Sequence, residues 1–125
     1  MFHLLLVAIG GALGASSRHL ISLAAVRFGT SVFPWHTMAI TIAGSLAMGL
    51  LIGWLGRRTG TSDDLRLFLA TGVLGGFTTF SAFSLDFAVL WQRGSLAGAF
   101  TYAAASVILS LIAVFVGLWV ARVLP

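Results

Sequence analysis

Four apolar stretches, separated by short polar interruptions, account for almost the whole chain. The first runs from about Phe2 to Ala25, and Arg27 with residues 29–31 forms the turn after it. The second opens at Pro34-Trp35 and closes near Gly56. Arg57 to Asp64 is the most polar stretch and reads as a loop. The third stretch runs from about Leu65 to Trp91, Gln92-Arg93-Gly94 turns the chain, and the fourth runs from about Ser95 to Leu124. Each matches the roughly 20 apolar residues that a helix needs to cross a bilayer. Proline in the first helical turn and tryptophan at the membrane interface both suit the start of the second. The pattern predicts an all-α integral membrane protein, a single four-helix transmembrane domain over residues 1–125. No linker, low-complexity tract or internal repeat is visible, so any symmetry must come from assembly.

The third stretch departs from a plain span at Gly75-Gly76-Phe77-Thr78-Thr79-Phe80-Ser81-Ala82-Phe83-Ser84. Glycine and threonine are poor helix formers, and the run lies where the helix would cross the bilayer midplane. The expectation is a helix broken between Gly75 and Thr79. Backbone left unpaired at that depth must face protein, line a cavity or bind something. Phe80 and Phe83 lie three apart, on one helical face, with the hydroxyls of Ser81 and Ser84 interleaved. This combination suggests a small-ion site. The plainer reading is a close helix contact with ordinary aromatics beside it.

Polar and small residues also recur every fourth position inside the other spans. Thr37, Thr41, Ser45, Gly49 and Gly53 form one row, and Gly98, Tyr102, Ser106 and Ser110 another. Gly10 and Gly14 form a short row in the first span. Such rows let backbones approach, and their hydroxyls bond across helices or back to the carbonyl four residues earlier. Read functionally, they are a track of O–H donors able to turn toward an anion.

Composition narrows the class. Of 125 residues, 59% are hydrophobic and only 8% charged, where a soluble domain carries about 25% charge. The first segment has no basic leader before it and reads as a span. With no cysteine, disulfide frameworks and thiolate metal sites are excluded. His3, His19 and His36 lack metal-ligand spacing. There is no nucleophile–base pair, phosphate loop or HExxH, which argues against an enzyme. The net charge of +4 comes from arginines. Arg57, Arg58, Arg66 and Arg122 fall at one face of a four-span chain, and Arg18, Arg27 and Arg93 at the other. A four-to-three count barely satisfies the rule that sets orientation. Either something else fixes orientation, or the chain inserts both ways and pairs head to tail.

Arg18 and Asp86 are the ionisable groups within spans, where charge is costly and functional by default. Arg18, read as near the end of its span, either snorkels to the interface or draws anions to a pore mouth. Asp86 either accepts from neighbouring hydroxyls or carries a proton and donates; the pattern leaves both open.

Together these residues resemble the Fluc (CrcB) fluoride channel family over essentially the whole chain. The segments that carry the resemblance are Gly10-Gly11-Ala12-Leu13-Gly14-Ala15-x-x-Arg18, Pro34-Trp35-x-Thr37 with Gly44-Ser45, GGFTTFSAFS followed by Asp86, and Tyr102, Ser106 and Ser110. The resemblance implies a passive fluoride-selective channel of the bacterial plasma (inner) membrane that exports fluoride and lowers its cytoplasmic level. It implies an antiparallel, dual-topology homodimer with two pores in membrane lipid. It also implies a structural sodium ion on the dimer axis, held by the carbonyls of Gly75 and Thr78. Phe80 and Phe83 match the family's pore phenylalanines. Thr37, Thr41, Ser81, Ser84, Tyr102, Ser106 and Ser110 fall to the fluoride path, and Arg18 and Asp86 to its vestibule or polar network. The chain departs from the family pattern at Thr41, usually asparagine, at Asp86, usually glutamate, and at Ala82, usually threonine.

Two other readings compete. A small dual-topology multidrug exporter needs a carboxylate deep in the first helix, and this first segment has no acid. A non-transporting membrane assembly protein would share the packing glycines but has no need of hydroxyl tracks. A fixed-orientation heterodimer conflicts with the near-balanced arginines.

Overall fold

A computed structural model describes residues 1–29, 33–58, 60 and 62–125. The predicted turn at 29–31 therefore lies largely outside the described residues. The fold is all-helical, with four helical segments long and apolar enough to cross a membrane. The first is α1 (Phe2–Phe28), three residues longer than expected. Nothing in Val26-Arg27-Phe28 stops a helix; Gly29 does, at φ 134, a conformation closed to most L-residues. The second is α2 (Trp35–Leu55) and the last is α6 (Leu96–Val123).

The third span, Asp63–Gln92, is a composite. It starts inside the predicted loop with α3 (Asp63–Arg66), where Ser62 accepts the amide of Leu65 and two aspartates occupy the first turn. Such a cap and such charges stabilise a helix start. It continues as π-helical turns over Leu67–Leu74, then α4 (Gly75–Phe77). Thr78 (φ −110, ψ 131) and Thr79 (φ −136, ψ 138) are extended, and α5 (Phe80–Gln92) follows. The span thus bends at its middle. The departure from helix was expected from Gly75 onward; Gly75 itself is helical, at φ −63 and ψ −38.

Close backbone contacts set the packing. A methyl group added to Gly10 would lie 2.6 Å from the Phe68 carbonyl and 2.9 Å from Gly72 Cα, and one on Gly14 would meet the backbone of Val73 and Phe77. So α1 lies against the first half of the third span. Gly49 and Gly117 do the same for α2 and α6, where a methyl on Gly117 would sit 2.5 Å from the Leu46 carbonyl. The buried core, Met38, Leu90, Ala99 and Tyr102, joins α2, α5 and α6.

One end of the bundle carries both chain termini. His3 pairs with Asp64 at 3.0 Å. Arg57, just past α2, donates to the Ala121 carbonyl at 2.7 Å and to that of Leu124, capping the last turn of α6. Arg18 corrects the charge count. It stands ten residues, about 15 Å, before the end of α1, and so belongs to the interior of the span. The ends then carry four arginines against two.

Candidate functional site

Two threonines mark the bend, and one of them, Thr79, takes over a bond that the helix gives up. Thr78 Oγ1 donates to the Leu74 carbonyl at 3.1 Å. Thr79 Oγ1 accepts the Ala82 amide at 3.3 Å, the N-cap of α5. It also accepts from Arg18 Nη1 at 2.6 Å. The intramembrane cation is therefore tied to the start of α5, where a guanidinium polarises the capping oxygen. With Ala82 bonded to a side chain, the Thr78 carbonyl loses its helical donor. The turn at Thr78 likewise carries the Thr79 amide away from the Gly75 carbonyl. Open carbonyls at a span's middle have a strong need for a partner.

Beside the bend lies an open cavity of about 380 Å³. Thr41 and Ser45 of α2, Thr78 and Thr79, Phe80 and Phe83 of α5, and Ser106 and Ser110 of α6 line it, with Met48, Val107, Leu111 and Val114 completing an apolar wall. The ring centroids of Phe80 and Phe83 are 5.3 Å apart. Phe83 stacks on Tyr102 at 5.2 Å and 26°, while Phe80 is 76% exposed.

The hydroxyls divide into two groups. Those of Ser17, Ser22, Thr41 and Thr78 each donate to the carbonyl four residues earlier. For Thr41 the acceptor is Thr37, at 2.9 Å. This is how helical hydroxyls ordinarily settle in an apolar medium. The Oγ atoms of Ser106 and Ser110 are buried yet find no hydrogen-bond partner among the described residues. They sit on successive turns of one α6 face, at the cavity wall.

The other expected site residues fall around this centre. Thr37 and Tyr102 are buried and Asp86 half-buried, and none of the three lines the cavity. The Tyr102 hydroxyl donates to Asp86 Oδ2 at 3.3 Å. Ser81 and Ser84 are exposed on α5 and lie outside the cavity lining. Gly75 is exposed as well, and a methyl group there would meet only the Ala70 carbonyl, at an ordinary 3.5 Å. Sequence reasoning missed the double role of Thr79. The available signal was a threonine immediately before an apolar helical run, which marks an N-cap.

Fold and site define a small multi-pass membrane protein of four helical spans, built around a groove that offers uncommitted hydroxyls and aromatic rings. A family model described as CrcB-like protein, Camphor Resistance (CrcB), matches residues 5–118, and the chain belongs to this family. The chain is 61% identical, over the full length of both, to a protein of Mesorhizobium japonicum named fluoride-specific ion channel FluC. Relatives of the same name in Chelativorans sp. and Hyphomonas neptunium are 57% and 58% identical, over 98% and 94% of each chain.

Proposed function

We infer that this chain forms a passive fluoride channel that lets the ion leave the cytoplasm across the inner membrane. The observation that carries the reading is the pair of unpartnered hydroxyls of Ser106 and Ser110, buried on one wall of a cavity that also holds Phe80 and Phe83. An unpaired buried hydroxyl costs roughly 1–3 kcal/mol, so its retention calls for a partner that visits. Both donors can turn toward an anion. Aromatic edges carry positive quadrupole and add weak attraction. Fluoride holds its water tightly, and a dry apolar groove alone would exclude it. Donors placed to replace part of that shell are what a fluoride path requires. The test is fluoride efflux from liposomes containing only this protein, read with an ion-selective electrode. Fluoride should leave down its gradient, without ATP or a proton gradient, while chloride stays. Equal chloride release, or no release of either, would overturn the reading.

The bend is read as the broken midpoint of the third helix. Only 6% of the third span's apolar window is buried within the chain, the smallest share of the four. Its open carbonyls need a cover that lipid cannot provide. A second copy across a two-fold axis provides one. The carbonyls of Gly75 and Thr78 then meet their symmetry mates, four oxygens in all, a set suited to a hard cation. A sodium ion there would neutralise the facing dipoles and hold the halves together. The arrangement is an antiparallel, dual-topology homodimer. Four arginines against two at the ends favour one orientation by two charges, a bias that dual insertion must overcome. Single-cysteine labels at Gly60, in the loop between α2 and α3, should react from both sides of intact membranes. Reaction from one side alone excludes dual insertion.

A further inference from the structure

We propose that the corner where α2 ends beside the end of α6 is a binding site for one anionic phospholipid, distinct from the ion path. A cavity of about 300 Å³ opens there, with walls of Leu50, Leu51, Ala121 and Leu124. Its rim carries Arg57 and Trp54. The Arg58 guanidinium lies over that same Trp54 ring, 4.4 Å from its centroid. Arg57 thus stands at the mouth of the apolar slot, and Arg58 lies against the Trp54 of its rim.

The geometry fixes the chemistry of the occupant. The apolar walls come from the last turns of α2 and α6 and from Leu124 and Pro125 just past α6, a surface that suits an acyl chain. Trp54 lies one residue before the end of α2, the level at which tryptophan meets lipid headgroups. Arg57 is held in place by the Ala121 and Leu124 carbonyls through Nη1, and its guanidinium has further N–H groups to offer. Arg58 is positioned by its stacking. Arginine held this way loses little freedom when it binds a phosphate, and its planar fork matches that group. Arg66 and Arg122 fall at the same end and leave it net positive, although Asp63 and Asp64 beside them offset part of the field. A lipid with a phosphodiester and net negative charge satisfies slot and rim together. A zwitterionic lipid brings its own cation to a rim that is already cationic.

The test uses the purified full chain in detergent and needs no flux measurement. Native mass spectrometry reads the lipid retained after titration with phosphatidylglycerol or phosphatidylcholine. Phosphatidylglycerol should be retained at roughly tenfold lower concentration, because it alone sets a net negative charge against the two arginines. Arg58→Gln should remove about that factor for phosphatidylglycerol and weaken phosphatidylcholine, whose phosphodiester the same guanidinium can bind, by less. This variant keeps the Arg57 bonds that cap α6. Leu51→Trp should weaken retention by filling the slot with both cations intact. Arg93→Gln, at the opposite end, should change nothing. Equal retention of the two lipids would overturn the proposal. So would undiminished retention in both Arg58→Gln and Leu51→Trp, an equal loss in Arg93→Gln, or displacement of the lipid by millimolar inorganic phosphate.

Discussion

Gly75→Val is expected to abolish fluoride efflux and to break the dimer while leaving the single chain folded. Within one chain nothing requires glycine at this position. Its dihedrals are those of an ordinary helix, φ −63 and ψ −38. An added methyl meets only the Ala70 carbonyl, at 3.5 Å. Valine also has better helix propensity than glycine. Whatever Gly75→Val destroys therefore lies between chains, where the proposed homodimer brings two bends and their carbonyls together. Helical content by circular dichroism should match the parent, while size-exclusion chromatography in detergent should show the monomer. Gly14→Val is the contrasting control, because its side chain would strike the backbone of Val73 and Phe77 inside the same chain. That variant should lose the fold itself. A Gly75→Val protein that stays dimeric with full efflux would remove both the axis and the ion site from the reading.

The four spans were legible because each is a long apolar run bounded by arginine, glycine or proline, and lipid demands little more of a sequence. The bend was legible only in part. Gly75-Gly76 drew the expected break toward the glycines, yet Gly76 serves close packing, with an added methyl 2.6 Å from the Gly11 carbonyl. At the turn the Thr79 side chain replaces a helical bond by accepting the Ala82 amide, while the Thr78 hydroxyl adds to a Leu74 carbonyl that already accepts the Thr78 amide. The period-four rows told which residues share a face, but not what the face meets. On α2, Gly49 meets α6 while Thr41 and Ser45 reach the cavity. Arg18 was misplaced because α1 runs on to Phe28 and because its partner, Thr79, is 61 residues away. A pairing over that distance leaves no local trace.

Ser110 and Thr41 make the sharpest comparison between a donor to the ion and a donor to the helix. Both line the cavity, and both lie on rows that point to a hydroxyl track. The sequence favoured Thr41 as a donor to the anion, standing where the family resemblance places an asparagine. In the structure its proton goes to the Thr37 carbonyl, whereas Ser110 Oγ is buried without a partner. Ser110→Ala should therefore slow fluoride by about one to two decades, the effect of losing roughly 1.5–3 kcal/mol of charge-assisted bonding at a barrier. The same change should leave unfolding stability equal or raise it by up to about 1 kcal/mol, since it removes an unsatisfied buried hydroxyl. Slower flux in an equally stable or steadier protein separates a functional donor from a structural one. Thr41→Val keeps shape and loses only an internal bond, so its flux should stay close to that of the parent. Liposome efflux and detergent melting curves on the two variants decide the matter. If Thr41→Val is the slow variant and Ser110→Ala the silent one, the path runs along α2 and the α6 hydroxyls are packing.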